Sequence, residues 1–286
     1  MTPPAISPQW LSAHFPDLAD LAPLSGGGQK LVFSARHPQE NHVVLKLIRP
    51  PVDTDGFARE ILAVEEVNSP RVPRILAHGS LPTPLGDCFW LREQRILGVT
   101  VRQLLATGPL PTRPLLRLGL HTLEALAAAE QVRIVHRDVK PENIMWADGD
   151  EFSLLDFGIA RHLQLSSQTP TVAHFGKFTP GYGPPEQFRN LKRDIDARSD
   201  LFALGVTLYE CATGRNPFRY GAANDIEILR RVETLPLVPL RLSFQSTGDF
   251  SDLVAALTQK RRDHRPPTAQ LALDWMRQVC QANGVC

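Results

Sequence analysis

The chain has 286 residues, 43% of them hydrophobic and 21% charged, with a formal net charge of +1. That length suits one large domain or two lobes, and the apolar share is ample for a core. The near-neutral balance excludes recognition of nucleic acid or an anionic membrane through a global positive field.

Four scattered cysteines, Cys88, Cys211, Cys280 and Cys286, form no C-x-x-C pair, which argues against a disulfide framework or a zinc site. The opening MTPPAISPQW has no basic stretch followed by an apolar run, so it is not read as a secretory signal. No segment approaches the roughly 18–20 apolar residues of a membrane helix. The expectation is a soluble protein of a reducing cytoplasm, without nucleic-acid or membrane partners.

In chain order, residues 1–20 are rich in proline and small residues and read as a leader that packs locally or frays. A glycine cluster, Gly26-Gly27-Gly28, precedes two strand-like runs, Leu31–Ser34 and His42–Ile48. Such a cluster lets the backbone approach phosphates, although three glycines alone are more often a turn. From Asp55 to Val67, Phe57, Ile61, Val64 and Val67 recur at helical spacing. Short strands are expected near Arg74–His78 and Cys88–Glu93. Past Gly98 the pattern turns helical: Leu115, Leu116, Leu120, Leu123 and Ala127 mark one helix. A second runs from about Ser199 to Ala212 with Gly214 beyond its end. Asp225–Val232, Phe250–Thr258 and Thr268–Gln281 complete the helical part. The divisions expected are a leader over 1–20, a strand-rich lobe over 21–95 and a helical lobe over 96–286.

The chemistry is concentrated in His136-Arg137-Asp138-Val139-Lys140-Pro141-Glu142-Asn143-Ile144-Met145, with Asp156-Phe157-Gly158 thirteen residues after Asn143. A carboxylate to orient a hydroxyl, an ammonium to neutralise phosphate, and an Asn and an Asp to hold magnesium are the groups phosphoryl transfer needs. Seven residue types at fixed spacing would arise by chance about once per 10⁹ starting positions.

This string closely resembles the catalytic loop of protein kinases, and the likeness runs over about residues 24–280. The resemblance implies an α+β, bilobal protein kinase-like fold: a small β-rich N-lobe with one main helix and a larger α-helical C-lobe. It assigns Asp138 as the base, Lys140 to the γ-phosphate, and Asn143 and Asp156 to Mg²⁺ or Mn²⁺. Lys46, fourteen residues after Val32, matches the strand lysine that meets the α- and β-phosphates of ATP; Glu60, fourteen further on, matches its helix partner. Val32 and Val44 join the nucleotide site, and backbone groups near Glu93 and Arg95 are expected to meet adenine. Arg92 would then control the pocket behind the base, unless the alignment is displaced by one residue. The glycine loop departs from the family, since Ser25, Gly27 and Lys30 stand where three glycines are usual. Val64, Ile75, His136 and Phe157 match the stacked side chains of active kinases, anchored by Asp200.

Thr179-Pro180-Gly181-Tyr182-Gly183-Pro184-Pro185-Glu186 resembles the end of an activation segment. Thr179 is expected beside Asp138 and Lys140, and Glu186 paired with Arg265. Ser166, Ser167, Thr169 and Thr171 are expected autophosphorylation positions, with Arg137 lining a phosphate pocket. The implied protein is a compact eukaryotic-type (Hanks-type) Ser/Thr protein kinase of bacterial style, without an appended sensor domain. It would transfer the ATP γ-phosphoryl group to Ser/Thr hydroxyls of protein substrates and self-associate for autophosphorylation. Two other readings stay open: a pseudokinase serving as a binding scaffold, and a small-molecule phosphotransferase of related fold.

Overall fold

A computed structural model of the chain describes residues 6–26, 30–49, 54–84, 86–157, 179–189, 191–242 and 249–285. The architecture is α+β and falls into two units. The first is built mainly from Met1–Glu65 and Pro73–Ile96, the second from Glu66–Val72, Leu97–Ala160 and Gln168–Cys286.

In the first unit, five antiparallel strands stand in the order β1-β2-β3-β5-β4: β1 Ala19–Gly26, β2 Lys30–His37, β3 Asn41–Ile48, β4 Ile75–Thr83 and β5 Gly86–Gln94. The sheet buries one face through Ala35, Val43, Leu45 and Leu47. Helix α1 (Pro8–His14) closes that face with Leu11, and Phe15 and Leu18 follow it into the same cluster. Ser7 caps α1 by accepting from the Trp10 N–H at 3.1 Å. From Ile6 onward the leader therefore packs, and its described part is grouped with the sheet unit rather than standing as a segment of its own. Helix α2 (Thr54–Glu65) buries Ile61 and Val64.

In the second unit, β6 (Val99–Thr100), β7 (Ile144–Ala147) and β8 (Glu151–Leu154) make a small sheet. Among the described residues its helices are α3 (Val101–Leu104), α4 (Thr112–Gln131), α5 (Pro185–Phe188), α6 (Ala197–Thr213), α7 (Asp225–Thr234), α8 (Asp249–Leu257) and α9 (Ala269–Ala282). Helix α6 is buried almost all round, so it carries no polar stripe. Asp196 caps its start, and Gly214, at φ 75°, ends it in the left-handed conformation with its N–H on the Glu210 carbonyl at 2.7 Å. Gly205 lets α8 approach: a Cβ there would stand 2.7 Å from Thr258 Cγ2 and 2.8 Å from Leu257 Cβ.

The boundary between the units differs from the expected cut at one place. Residues 66–72 lie in the helical unit although they precede β4. Arg71 holds them there: its carbonyl accepts from the Leu154 N–H at 2.8 Å, and its guanidinium donates to Glu124 at 2.8 Å and to Glu151. Among the described residues no helix is long and apolar enough to cross a membrane.

Candidate functional site

The second unit carries the catalytic string on a loop between α4 and β7, and its backbone is shaped from below. Asp200, fully buried on α6, accepts the His136 N–H and the Arg137 N–H, each at 2.7 Å. Burial pushes its carboxyl up, and these two bonds pull back toward the ionised form. Arg137 stands at φ 70°, a left-handed conformation costly for a side chain with a Cβ. It is clamped on both sides, since its carbonyl accepts from Gln187 Nε2 at 2.7 Å.

His136 is buried, and its ring has one available tautomer. Nδ1 faces the Asp138 N–H at 3.2 Å and must accept; Nε2 faces the Leu155 carbonyl at 2.6 Å and must donate. The neutral ring thus ties the loop to the strand that leads into Asp156, and it meets Phe157 edge-on at 4.6 Å. Asp156 itself has φ 65°. Val64 and Ile75, expected in the same stack, belong to the sheet unit.

Asp138, Lys140, Asn143 and Thr179 form one cluster. The Thr179 hydroxyl donates to Asp138 Oδ1 at 2.7 Å and accepts from Lys140 Nζ at 2.8 Å. Lys140 Nζ also lies 2.6 Å from Asp138 Oδ2. Asn143 Nδ2 donates to the Asp138 carbonyl at 2.8 Å and to Oδ2 at 2.9 Å. With its amide nitrogen spent on Asp138, Asn143 has its Oδ1 left for a hard cation, which takes oxygen donors. The Asn143 carbonyl accepts from the Leu155 N–H at 2.8 Å, which keeps Asn143 close in the fold to Asp156. A carboxylamide and a carboxylate, with water and phosphate oxygens, suit a magnesium ion that keeps most of its shell outside the protein.

Glu186 and Arg265 form a bidentate pair at 2.6 and 3.1 Å, and Ser199 donates to Glu186 Oε1 at 3.0 Å. Arg265 also donates to the carbonyls of Gln259, Lys260 and Arg198, so most of its fork is satisfied without water. A network that the motifs do not disclose lies nearby. Arg102 on α3 donates to Glu142 at 2.8 Å, to Glu210 at 2.8 Å and to the Tyr182 hydroxyl at 2.5 Å, and Tyr182 donates to Glu210. It binds Thr179's segment to α3 and α6. Burial, with Glu210 next, holds the Tyr182 hydroxyl protonated well above its usual range.

The sheet unit carries the residues expected at the nucleotide. Val32 and Val44 are buried, and Val32 pairs directly with Lys46 across β2 and β3. Lys46 forms an ion pair with Glu93, both nearly inaccessible at 3% and 7% exposure. The register explains it. Lys46 stands opposite Leu91 and Val44 opposite Glu93, so Lys46 and Glu93 are diagonal neighbours on one face. The expected partner, Glu60, lies half-buried on α2. Arg92 takes the opposite face by strand alternation, where Nη1 meets Asp17 Oδ2 at 2.5 Å and Nε lies 3.1 Å from Glu40. It does not share the face of Lys46; the one-residue displacement makes Glu93 the residue there. In the stretch whose backbone groups are expected to meet adenine, the Arg95 N–H donates to the His42 carbonyl at 3.1 Å. Gly26 ends β1 opposite Leu31. Gly27, Gly28, Ser166, Ser167, Thr169 and Thr171 lie outside the described residues.

Compared with known proteins, residues 21–276 match the model of the protein kinase domain. The serine/threonine-protein kinase PknB of Mycolicibacterium smegmatis is 33% identical over 266 residues, covering 90% of this chain and 42% of PknB. PknB of Mycobacterium tuberculosis is 31% identical over 267 residues, with coverage of 90% and 42%. A probable serine/threonine-protein kinase of Thermomonospora curvata, PkwA, is 34% identical over 258 residues, with 87% of this chain and 32% of PkwA covered. The chain thus spans less than half the length of these relatives.

Proposed function

The chain belongs to the protein kinase domain family, and from that premise we propose that it transfers the γ-phosphoryl group of ATP to Ser or Thr hydroxyls of proteins. The observation that carries this reading is the closed cluster of Asp138, Lys140, Asn143 and Thr179. Asp138 accepts three side-chain donors, so its carboxylate is fixed in direction while remaining partly exposed for a substrate hydroxyl. As the substrate hydroxyl attacks, Asp138 orients it and takes its proton. Lys140 neutralises charge on the transferring group, and Thr179, bonded to both, positions the hydroxyl-bearing residue. Lys46 would meet the α- and β-phosphates, beside Val32 and Val44. Asn143 and Asp156 would hold Mg²⁺ or Mn²⁺, which would screen the phosphate oxygens.

Protein rather than metabolite as acceptor is supported by the segment Thr179–Glu186, which the Arg102–Tyr182–Glu210 network and the Glu186–Arg265 pair hold in place. Autophosphorylation at Thr169 or Thr171, through transient self-association, belongs to the same reading. A cytoplasmic setting belongs to the same reading; among the described residues no helix is long and apolar enough to cross a membrane.

The test is incubation of the purified protein with labelled ATP and Mg²⁺, alone and with a generic basic protein, followed by phosphosite mapping. Phosphoserine or phosphothreonine on protein is the expected product. Label transferred only to small molecules, or none at all from a nucleotide-bound protein, would overturn the reading.

A further inference from the structure

We propose that Gln187 is a positioning residue for Asp138: its amide holds the peptide that joins Arg137 to Asp138, and so ties the catalytic base to the far end of the segment that begins at Thr179. The proposal rests on the kinase reading above and extends it to a residue that no motif marks.

Gln187 is 4% exposed, and a buried primary amide needs partners inside the protein. Its Nε2 donates to the Arg137 carbonyl at 2.7 Å. That carbonyl and the Asp138 N–H belong to one peptide unit, which is planar. The N–H donates to His136 Nδ1 at 3.2 Å. The plane is therefore held at both edges, by Gln187 on its oxygen and by His136 on its nitrogen. The restraint matters because Arg137 stands at φ 70°, where a side chain with a Cβ is strained. Relaxation of that strain turns the peptide plane, and the Asp138 side chain turns with it. Asp200 holds the N–H of Arg137, but a bond there does not fix the plane that follows.

Gln187 is itself set in a fixed frame. Its N–H donates to the Pro184 carbonyl at 3.0 Å, in the first turn of α5. Its neighbour Glu186 is locked to Arg265 and Ser199. The segment from Thr179 to Gln187 thus grips the base at two points. The Thr179 hydroxyl meets the carboxylate at 2.7 Å, and the Gln187 amide meets the peptide before it. An amide donates without adding charge to the loop, so the basicity of Asp138 stays with Thr179, Lys140 and Asn143. The consequence is that the base takes its working position only while the segment that would dock the substrate is seated.

Two variants test this, Gln187→Met and Gln187→Glu, with Asp138→Asn beside them as a control. Phosphoryl transfer from ATP to a generic basic protein is measured for kcat and for the KM for ATP, at a temperature where circular dichroism shows each variant folded. Gln187→Met keeps the length of the side chain and loses the donor. Its kcat should fall roughly tenfold or more, with the KM for ATP changed less than about threefold, because a misplaced base acts on the transition state and not on bound nucleotide. Gln187→Glu sets a carboxylate against the carbonyl when ionised and restores a donor, the carboxyl O–H, when protonated; burial raises the pH at which it protonates. Its kcat relative to wild type should therefore rise as the pH falls from about 8 to about 6. A packing role alone gives no such rise. Gln187→Met with a wild-type kcat overturns the proposal, whatever its melting temperature, as does a loss in Gln187→Met with a flat ratio in Gln187→Glu. A KM for ATP raised as much as kcat falls also overturns it. If Gln187→Met does not fold, Gln187→Glu decides: a rising ratio supports the proposal, and a flat one overturns it. Should Asp138→Asn be inactive while Gln187→Met matches wild type, only the proposal fails; a fully active Asp138→Asn would sink the kinase reading itself.

Discussion

Asp138 gathers three side-chain donors on one carboxylate, and this makes its contribution separable from nucleotide binding. Asp138→Asn removes the proton acceptor and leaves Lys46, Val32 and Val44 of the sheet unit unchanged. Phosphoryl transfer should fall by about 10²–10⁴, while ADP affinity, read by calorimetry, should stay within a few-fold of wild type. Equal losses in both would show that the cluster serves binding and not the chemical step. Glu186 is the counter-case, a carboxylate whose work is architectural. It faces Arg265, whose side chain has no exposed surface, and Ser199. Glu186→Gln leaves a buried guanidinium without its counter-charge, at a cost of about 3–5 kcal/mol. Urea unfolding should register that loss; a change below about 1 kcal/mol would mean that water reaches the pair.

At the scale of elements, the longer helices were readable because each buries one stripe or, in α6, nearly its whole surface. The end of α6 was readable at Gly214, which terminates it in the left-handed conformation, whereas its start, expected at about Ser199, lies two residues earlier under the Asp196 cap. What could not be read depends on pairing across the chain. The Lys46–Glu93 contact needs the β3–β5 register, and a slip of one residue exchanges Glu93 for Arg92 on that face. Gln187 and Arg102 act through contacts with residues far along the chain, and no local spacing marks them. The catalytic cluster was readable for the opposite reason: Asp138, Lys140 and Asn143 lie within six residues, so local backbone geometry brings them together. The leader is the clearest case of a tertiary override. Proline-rich and short, it would fray alone, yet α1 is held by the apolar face it covers. Leu11→Ala should cost about 2–5 kcal/mol and expose the sheet face of Val43, Leu45 and Leu47, seen as a lower melting temperature and increased binding of a hydrophobic dye. No change in either would place the support of that face elsewhere. Gly205→Ala probes α6 against α8 in the same way, with an expected loss of about 1–3 kcal/mol from overpacking.

For the molecule as a whole, acid should act through the helical unit, and one histidine sets the window. His121 on α4 is buried, and its Nδ1 accepts from the Phe152 N–H at 3.1 Å. Burial, and after it the Arg71 guanidinium, lower its pKa from 6.5 to about 4, although Glu151 and Glu124 pull the other way. The unfolded chain therefore takes up a proton near pH 6.5 that the folded chain refuses until about pH 4. The contribution of the neutral ring is whole above pH 6.5 and is lost as the pH falls toward 4. Glu151 shifts in the acid direction too, since burial is outweighed by its bond to Arg71, and its contribution is lost only below its ordinary value of 4.5. Above 4.5, in the interval up to 6.5, the loss from the histidine is therefore separate from that of Glu151, and comparison with a variant at position 121 picks out its share. His121→Asn retains an oxygen that can accept the Phe152 N–H but has nothing to titrate. Wild-type unfolding free energy should fall across that interval with a slope approaching one proton, about 1.4 kcal/mol per pH unit. The slope should be shallower in His121→Asn. Denaturant titrations followed by fluorescence of Trp146 and Trp275, both in the helical unit, measure it. An identical slope in the two proteins would mean that His121 accepts its proton in the folded state as readily as in the unfolded chain, and the acid sensitivity would have to be sought in the carboxylates.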